Sequence, residues 1–154
     1  MFDFVKNTGY IEVDKNDIID VEKTFGFTFP KVLRDYYLIH NGKHINHTVI
    51  NFEEAEDEEV YVHRIIPLIN RENNIFSVVS IISENNNNPR FDNNLIPFAM
   101  DDGGGLYCWS KIDQSVCLCY EDNIDENDMS IPIHVCENIN IFFHELDNAT
   151  ETSD

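Results

Sequence analysis

A chain of 154 residues, 42% of them apolar and eleven of them Phe, is long enough for one packed domain that buries about two-thirds of its unfolded surface. Its 29 acidic residues against ten basic ones give a net charge of −19, which excludes a phosphate backbone or an anionic membrane surface as partner and suits a basic protein. Met1 to Tyr10 has neither a basic start nor an apolar run, and Ile75 to Ile82 is too short to span a bilayer, so a cytoplasmic protein with four reduced Cys is expected.

The first helix is expected to begin after Val13. Asp14 or Asn16 can cap it, Asp17 and Asp20 suit the positive end of its dipole, and Ile18, Val21 and Phe25 form one apolar face. Glu22 falls on that face, as a rim carboxylate or as an acceptor for the backbone of the next turn. Gly26 sits where a left-handed C-terminal residue belongs. Phe27-Thr-Phe-Pro30 then makes a corner, with Pro30 in the first turn of a second helix. Val32, Leu33, Tyr36, Tyr37, Ile39 and His40 supply its buried stripe, and Asn41-Gly42 stops it.

His40, His44 and His47 invite a metal reading, but their spacing is not that of a helical pair and a helix stop lies between them. Glu53, Glu54, Glu56, Asp57, Glu58 and Glu59 crowd six acids into seven residues, a solvated loop that could steer a basic partner. Val60 to Ile66 alternates and is rich in β-branched residues, so a strand is expected there. Residues 70–83 carry a helical stripe of Ile75, Val78, Val79 and Ile82, and Asn85 to Pro89 reads as a loop.

Leu95 to Met100 and Leu106 to Ser110 read as two strands joined by Asp101-Asp102-Gly103-Gly104-Gly105, the glycines supplying positive φ angles. Val116 to Tyr120 makes a third strand and Ser130 to His134 a short extended segment. A final helix is expected from Val135, with Ile139, Phe142, Phe143 and Leu146 inward. The domain is placed at 1–147 and a polar tail at 148–154.

No enzyme motif emerges. The glycine run follows two Asp and precedes a strand, which is wrong for a phosphate loop. Cys108, Cys117, Cys119 and Cys136 include no C-x-x-C pair, so neither a metal nor a cofactor is expected. A Cys–His pair such as Cys136 with His134 or His144 lacks an orienting third group in the sequence. Without a basic stripe the chain is no nucleic-acid binder, although its acidity fits a mimic that occupies a nuclease cleft.

Three ordered segments resemble the SUKH superfamily. They are Ile18 to Gly42, with Glu22, Gly26, Phe29-Pro30, Tyr36-Tyr37 and Asn41-Gly42; Leu95 to Cys108, with Pro97, Phe98 and Gly103-Gly104-Gly105; and the last helix with Ile141-Phe142-Phe143. The chain has Phe29-Pro30 where the family often has Leu-Pro, and Lys43 where it often has a second Gly. The resemblance implies a single α+β domain with a central, largely antiparallel sheet and helices packed on it. It also implies a non-catalytic binding protein. Bacterial members are similar to immunity proteins that neutralise polymorphic toxins, often nucleases or deaminases; fungal members resemble regulators or scaffolds of cell-wall synthesis. On the immunity reading, the expected contacts with a basic toxin domain are Asp101, Asp102, Tyr107, Trp109 and the Glu53 to Glu59 loop, with core packing the alternative role for Tyr107 and Trp109.

Overall fold

The computed structural model describes residues 12–40, 44–50, 60–69, 77–101 and 103–152, of which 44–50, 60 and 149–152 are described as backbone. The order of elements is α1 (Lys15–Phe25), α2 (Lys31–His40), β1 (His44–Ile50), β2 (Val60–Ile65), α3 (Val78–Asn87), β3 (Leu95–Met100), β4 (Leu106–Ser110), β5 (Val116–Cys119), β6 (Ile133–Cys136) and α4 (Ile139–Thr152). The six strands form one sheet in sequence order, each antiparallel to the next. The fold is therefore α+β with an antiparallel sheet, as expected.

Local chemistry sets the start of the chain. Asp14 and Asp17 cap α1 reciprocally, each backbone N–H donating to the other's carboxylate at 2.9 Å. Gly26 ends the helix at φ 74°. Glu22 then holds the corner from both of its ends. Its carbonyl accepts from the N–H of Gly26 at 2.8 Å and of Phe27 at 3.1 Å, and its Oε2 accepts from the N–H of Phe29 at 2.7 Å. This is the backbone-accepting role open to it in the sequence. Pro30 occupies the position before α2, where its carbonyl accepts from Leu33 and Arg34. Glu22→Ala should destabilise the domain by about 1.5–3 kcal/mol, because it strands the Phe29 N–H, while Glu22→Gln keeps an acceptor and should lose less than half of that. Urea titration of both variants checks it; equal losses would show that charge and not the acceptor matters.

The corner aims Phe29 into the core. Its ring lies 4.8 Å from Phe27 and 5.4 Å from Tyr37, both edge-on, and 6.3 Å from Trp109. From α4, Phe142 meets Phe98 at 5.1 Å and Tyr107 at 5.5 Å, while Phe143 meets Tyr36 at 5.3 Å. One face of the sheet is thus covered by aromatic side chains of α2, α4 and the corner. Ile39 is the exception on α2: it is 60% exposed and no part of the buried stripe.

A bulge explains why β3 is buried without alternation. Pro97 faces Cys108 and Ala99 faces Tyr107, so Phe98 is an extra residue, and both Phe98 and Ala99 join the core. Pro97 has no N–H to donate, and a bulge is where a central strand tolerates it.

Four boundaries differ from expectation. The segment with His44 and His47 is strand β1, paired with β2. Of the helix expected over 70–83, residues 70–76 lie outside the described residues; α3 spans Val78–Asn87, capped by Ser77 and Ser80, and so runs on past the expected end. The Asn run is therefore mostly helix: Asn85 is buried, donating to the Phe91 carbonyl at 3.0 Å and accepting from the N–H of Arg90 at 2.7 Å and of Phe91 at 3.1 Å. Val135 and Cys136 belong to β6, with Cys136 opposite Val116, and the last helix starts at Ile139 and continues to Thr152 through what reads as a polar tail. No helix among the described residues is long and apolar enough to cross a membrane.

Candidate functional site

The acidic turn is built inward. Asp101 is 6% exposed, and its Oδ1 accepts from the N–H of Gly103 at 3.0 Å and of Gly105 at 2.7 Å. Its Oδ2 accepts from the Tyr120 hydroxyl at 2.6 Å. Only Gly104 of the three glycines has a positive φ, 85°. Gly105 is needed for space, since a Cβ there would lie 2.7 Å from Cε1 of Tyr120. The expectation of positive φ along the whole run is corrected to this one residue.

The sequence-derived contact residues therefore separate. Asp101 organises the turn with every carboxylate contact turned inward. Tyr107 is 0% and Trp109 1% exposed, so both are core residues out of a partner's reach, with the Tyr107 hydroxyl donating to the Tyr61 carbonyl at 2.8 Å. Their strand positions alternate onto the same face as Val116 and Leu118, the face that α2, α4 and the corner cover. Asp102, the Glu53 to Glu59 loop and the Asn41-Gly42 stop lie outside the described residues.

The four cysteines do not converge. Cys108, Cys117 and Cys119 share the second face of the sheet with Phe91, whereas Cys136 lies in the main core on the other face. Among the described residues no group of three or more His, Cys, Asp and Glu is placed to hold a metal ion. The three clustered thiols differ in acidity. Burial first, and then Cys119, pushes Cys108 up; a hydrogen bond to Cys119 first, and then burial, pushes Cys117 up. The hydrogen bonds from Cys108 and then Cys117 hold Cys119 below the ordinary thiol range. Iodoacetamide applied to the native protein should thus modify Cys119 first, with Cys108 and Cys136 reacting only on unfolding. Peptide mass mapping reads the order, and equal rates at Cys136 would refute the assignment of faces.

Cys119 also lines a concave feature of the described surface, a groove of ≈ 780 Å³ on the second face. Its floor is Met100, Leu106 and Cys119, with Gly104 at one end. The last turns of α3, with Ile81 and Glu84, and Pro89-Arg90-Phe91 form one wall. The other wall is Tyr120 to Ser130. Asp125 folds that second wall: its Oδ1 accepts from the N–H of Asn127 at 2.8 Å and of Met129 at 3.0 Å. The walls are tied where the Ser130 N–H donates to the Arg90 carbonyl at 2.7 Å, and the Ser130 hydroxyl donates to the Tyr120 carbonyl at 2.9 Å. Sequence reasoning did not single out this groove, because three separate stretches build it and none carries a motif.

With a capped α1, a Glu22-held corner, a Pro97 bulge and an Asp101 turn in one antiparallel meander, the chain can be set beside known proteins. It matches the SMI1 / KNR4 family (SUKH-1) over residues 12–145. The chain belongs to this family. The match takes in α1 through β6 and the first half of α4, so all six strands fall within it. No curated protein matches the chain.

Proposed function

We propose that this SUKH-1 domain is a cytoplasmic immunity protein that neutralises a basic toxin domain, of the nuclease or deaminase class, by stoichiometric occlusion. The observation that carries the reading is the charge. Ten cations cannot neutralise 29 acids, so the surface projects a strong negative potential that speeds encounter with a basic partner and repels nucleic acid. Family membership supports a role in binding. Such a protein needs shape and charge, with no catalytic residue of its own. Strength comes from buried apolar anchors, while the long-range field sets the association rate.

The test is co-expression with a toxin-like domain, sought first among the genes next to this protein's own. Cells expressing both should grow, and the two chains should co-purify. Death of those cells together with failure to co-purify would sink the reading. The association rate should also fall steeply as salt rises, because screening shortens the Debye length to about 8 Å at physiological ionic strength.

A further inference from the structure

The groove on the second face of the sheet is apolar below and acidic around. Met100, Leu106 and Cys119 give a floor without charge, and Glu84, Glu121 and Asp128 stand on the two walls. Arg90 is the single Lys or Arg among the described lining residues. None of these four charged side chains forms an ion pair among the described residues. Ile124, 42% exposed, adds apolar surface to the outer wall.

We propose that this groove receives a surface segment of the partner that carries one apolar side chain flanked by Lys or Arg. The inference rests on the immunity reading for the identity of the partner, but not for the chemistry of the segment. The volume is that of a pocket for one large side chain and its neighbours. The apolar floor favours an aromatic or aliphatic anchor, whose burial supplies affinity. Three carboxylates against one guanidinium leave the lining net negative, which favours cations beside that anchor. The tie between Ser130 and Arg90 joins the walls and makes them a preformed receptor. A second copy of this chain does not fit, since each copy carries a charge of −19 and brings acids to acids. An anionic ligand is disfavoured on the same ground.

Two probes test the proposal. One is the toxin domain used for co-expression. The other is a short synthetic peptide with a central Trp flanked by Arg and Lys, beside the same peptide with Asp in place of each cation. The basic peptide should shift the amide resonances of Gly104, Leu106, Cys119 and Ser130, and the acidic peptide should leave them in place. The double variant Glu84→Lys/Glu121→Lys should raise Kd for either probe at least about tenfold. Ile124→Asp, at a half-exposed site whose change spares the core, should raise it through faster dissociation. Asp20→Lys/Glu137→Lys alters the charge equally at exposed sites away from the groove and should change Kd less than about threefold, through the association rate. Peptide shifts scattered over the acidic surface, or toxin binding that both groove variants leave intact, would overturn the proposal. If the peptide maps to the groove and the toxin domain does not bind wild-type protein, the groove stands and the immunity reading falls.

Discussion

Trp109→Ala is expected to lower the stability of the domain by about 3–5 kcal/mol, the largest loss of any single truncation considered. Trp109 is 1% exposed and lies between Ile96 and Val116 in the sheet register. Phe27 at 5.9 Å and Phe29 at 6.3 Å close over its ring, so the cavity left by Ala could not collapse without moving the corner. Against a total of roughly 5–15 kcal/mol, the loss is a large fraction of what holds the fold. The melting temperature should fall by about 10 °C. Trp109→Phe should recover most of it. The indole Nε1 is buried without a hydrogen-bond partner among the described residues, so removing that N–H sacrifices no bond. Because Trp109 is the only Trp, far-UV circular dichroism must follow the unfolding. A melting temperature for Trp109→Ala within about 2 °C of wild type would show that the ring is not a core residue.

Asp101→Ala is the second large effect. It deletes an acceptor for the N–H groups of Gly103 and Gly105 and for the Tyr120 hydroxyl. Hydrogen bonds to a charged group contribute about 1.5–3 kcal/mol each, but the loosened turn would regain water at some donors, so a net loss of about 2–4 kcal/mol is expected. Asp101→Asn keeps Oδ1 for the two glycine N–H groups and lets the amide face the Tyr120 oxygen, so it should lose about 1 kcal/mol. Urea unfolding of the two variants separates the geometry of the turn from its charge. Equal losses in Ala and Asn would mean that the charge itself organises the turn. The same change should disturb the groove, since Gly104 and Tyr120 both line it.

These two residues also show where the sequence could be read and where it misled. Trp109 and Tyr107 could be read from the sequence as anchors or as core residues, and the β4 alternation with Cys108 decides for the core by putting them on the helix-covered face. Asp101 resembles a surface acid, yet its place before Gly103 and Gly105 lets one carboxylate close the turn. Features with short-range causes were legible: the Asp14 cap, the left-handed Gly26, the Phe29-Pro30 corner and the strands on either side of the glycine turn. Strand β1 was not. His44, Asn46 and His47 carry no alternating apolar pattern, and the strand exists because β2 pairs with it across an intervening stretch. The Asn run was missed for a related reason. Asn is a poor helix former, but Asn85 gains three hydrogen bonds to the segment at 90–91 when the helix reaches it. Val135 sits four residues before Ile139, in helical spacing by coincidence, and pairing of Cys136 with Val116 makes the difference. The groove had no local trace at all, since its floor and walls meet only when β3, β4 and β5 align.

The central claim is that this acidic SUKH-1 domain acts by occupying a basic partner, one for one. The most direct measurement takes a toxin domain that co-purifies with this protein and titrates its activity with increasing amounts of the protein, at a toxin concentration well above Kd. The account predicts a linear fall in activity that breaks at one equivalent and stays at the baseline. Inactivation complete far below one equivalent would mean catalysis, and activity persisting in excess protein would mean no occlusion; either result contradicts the account.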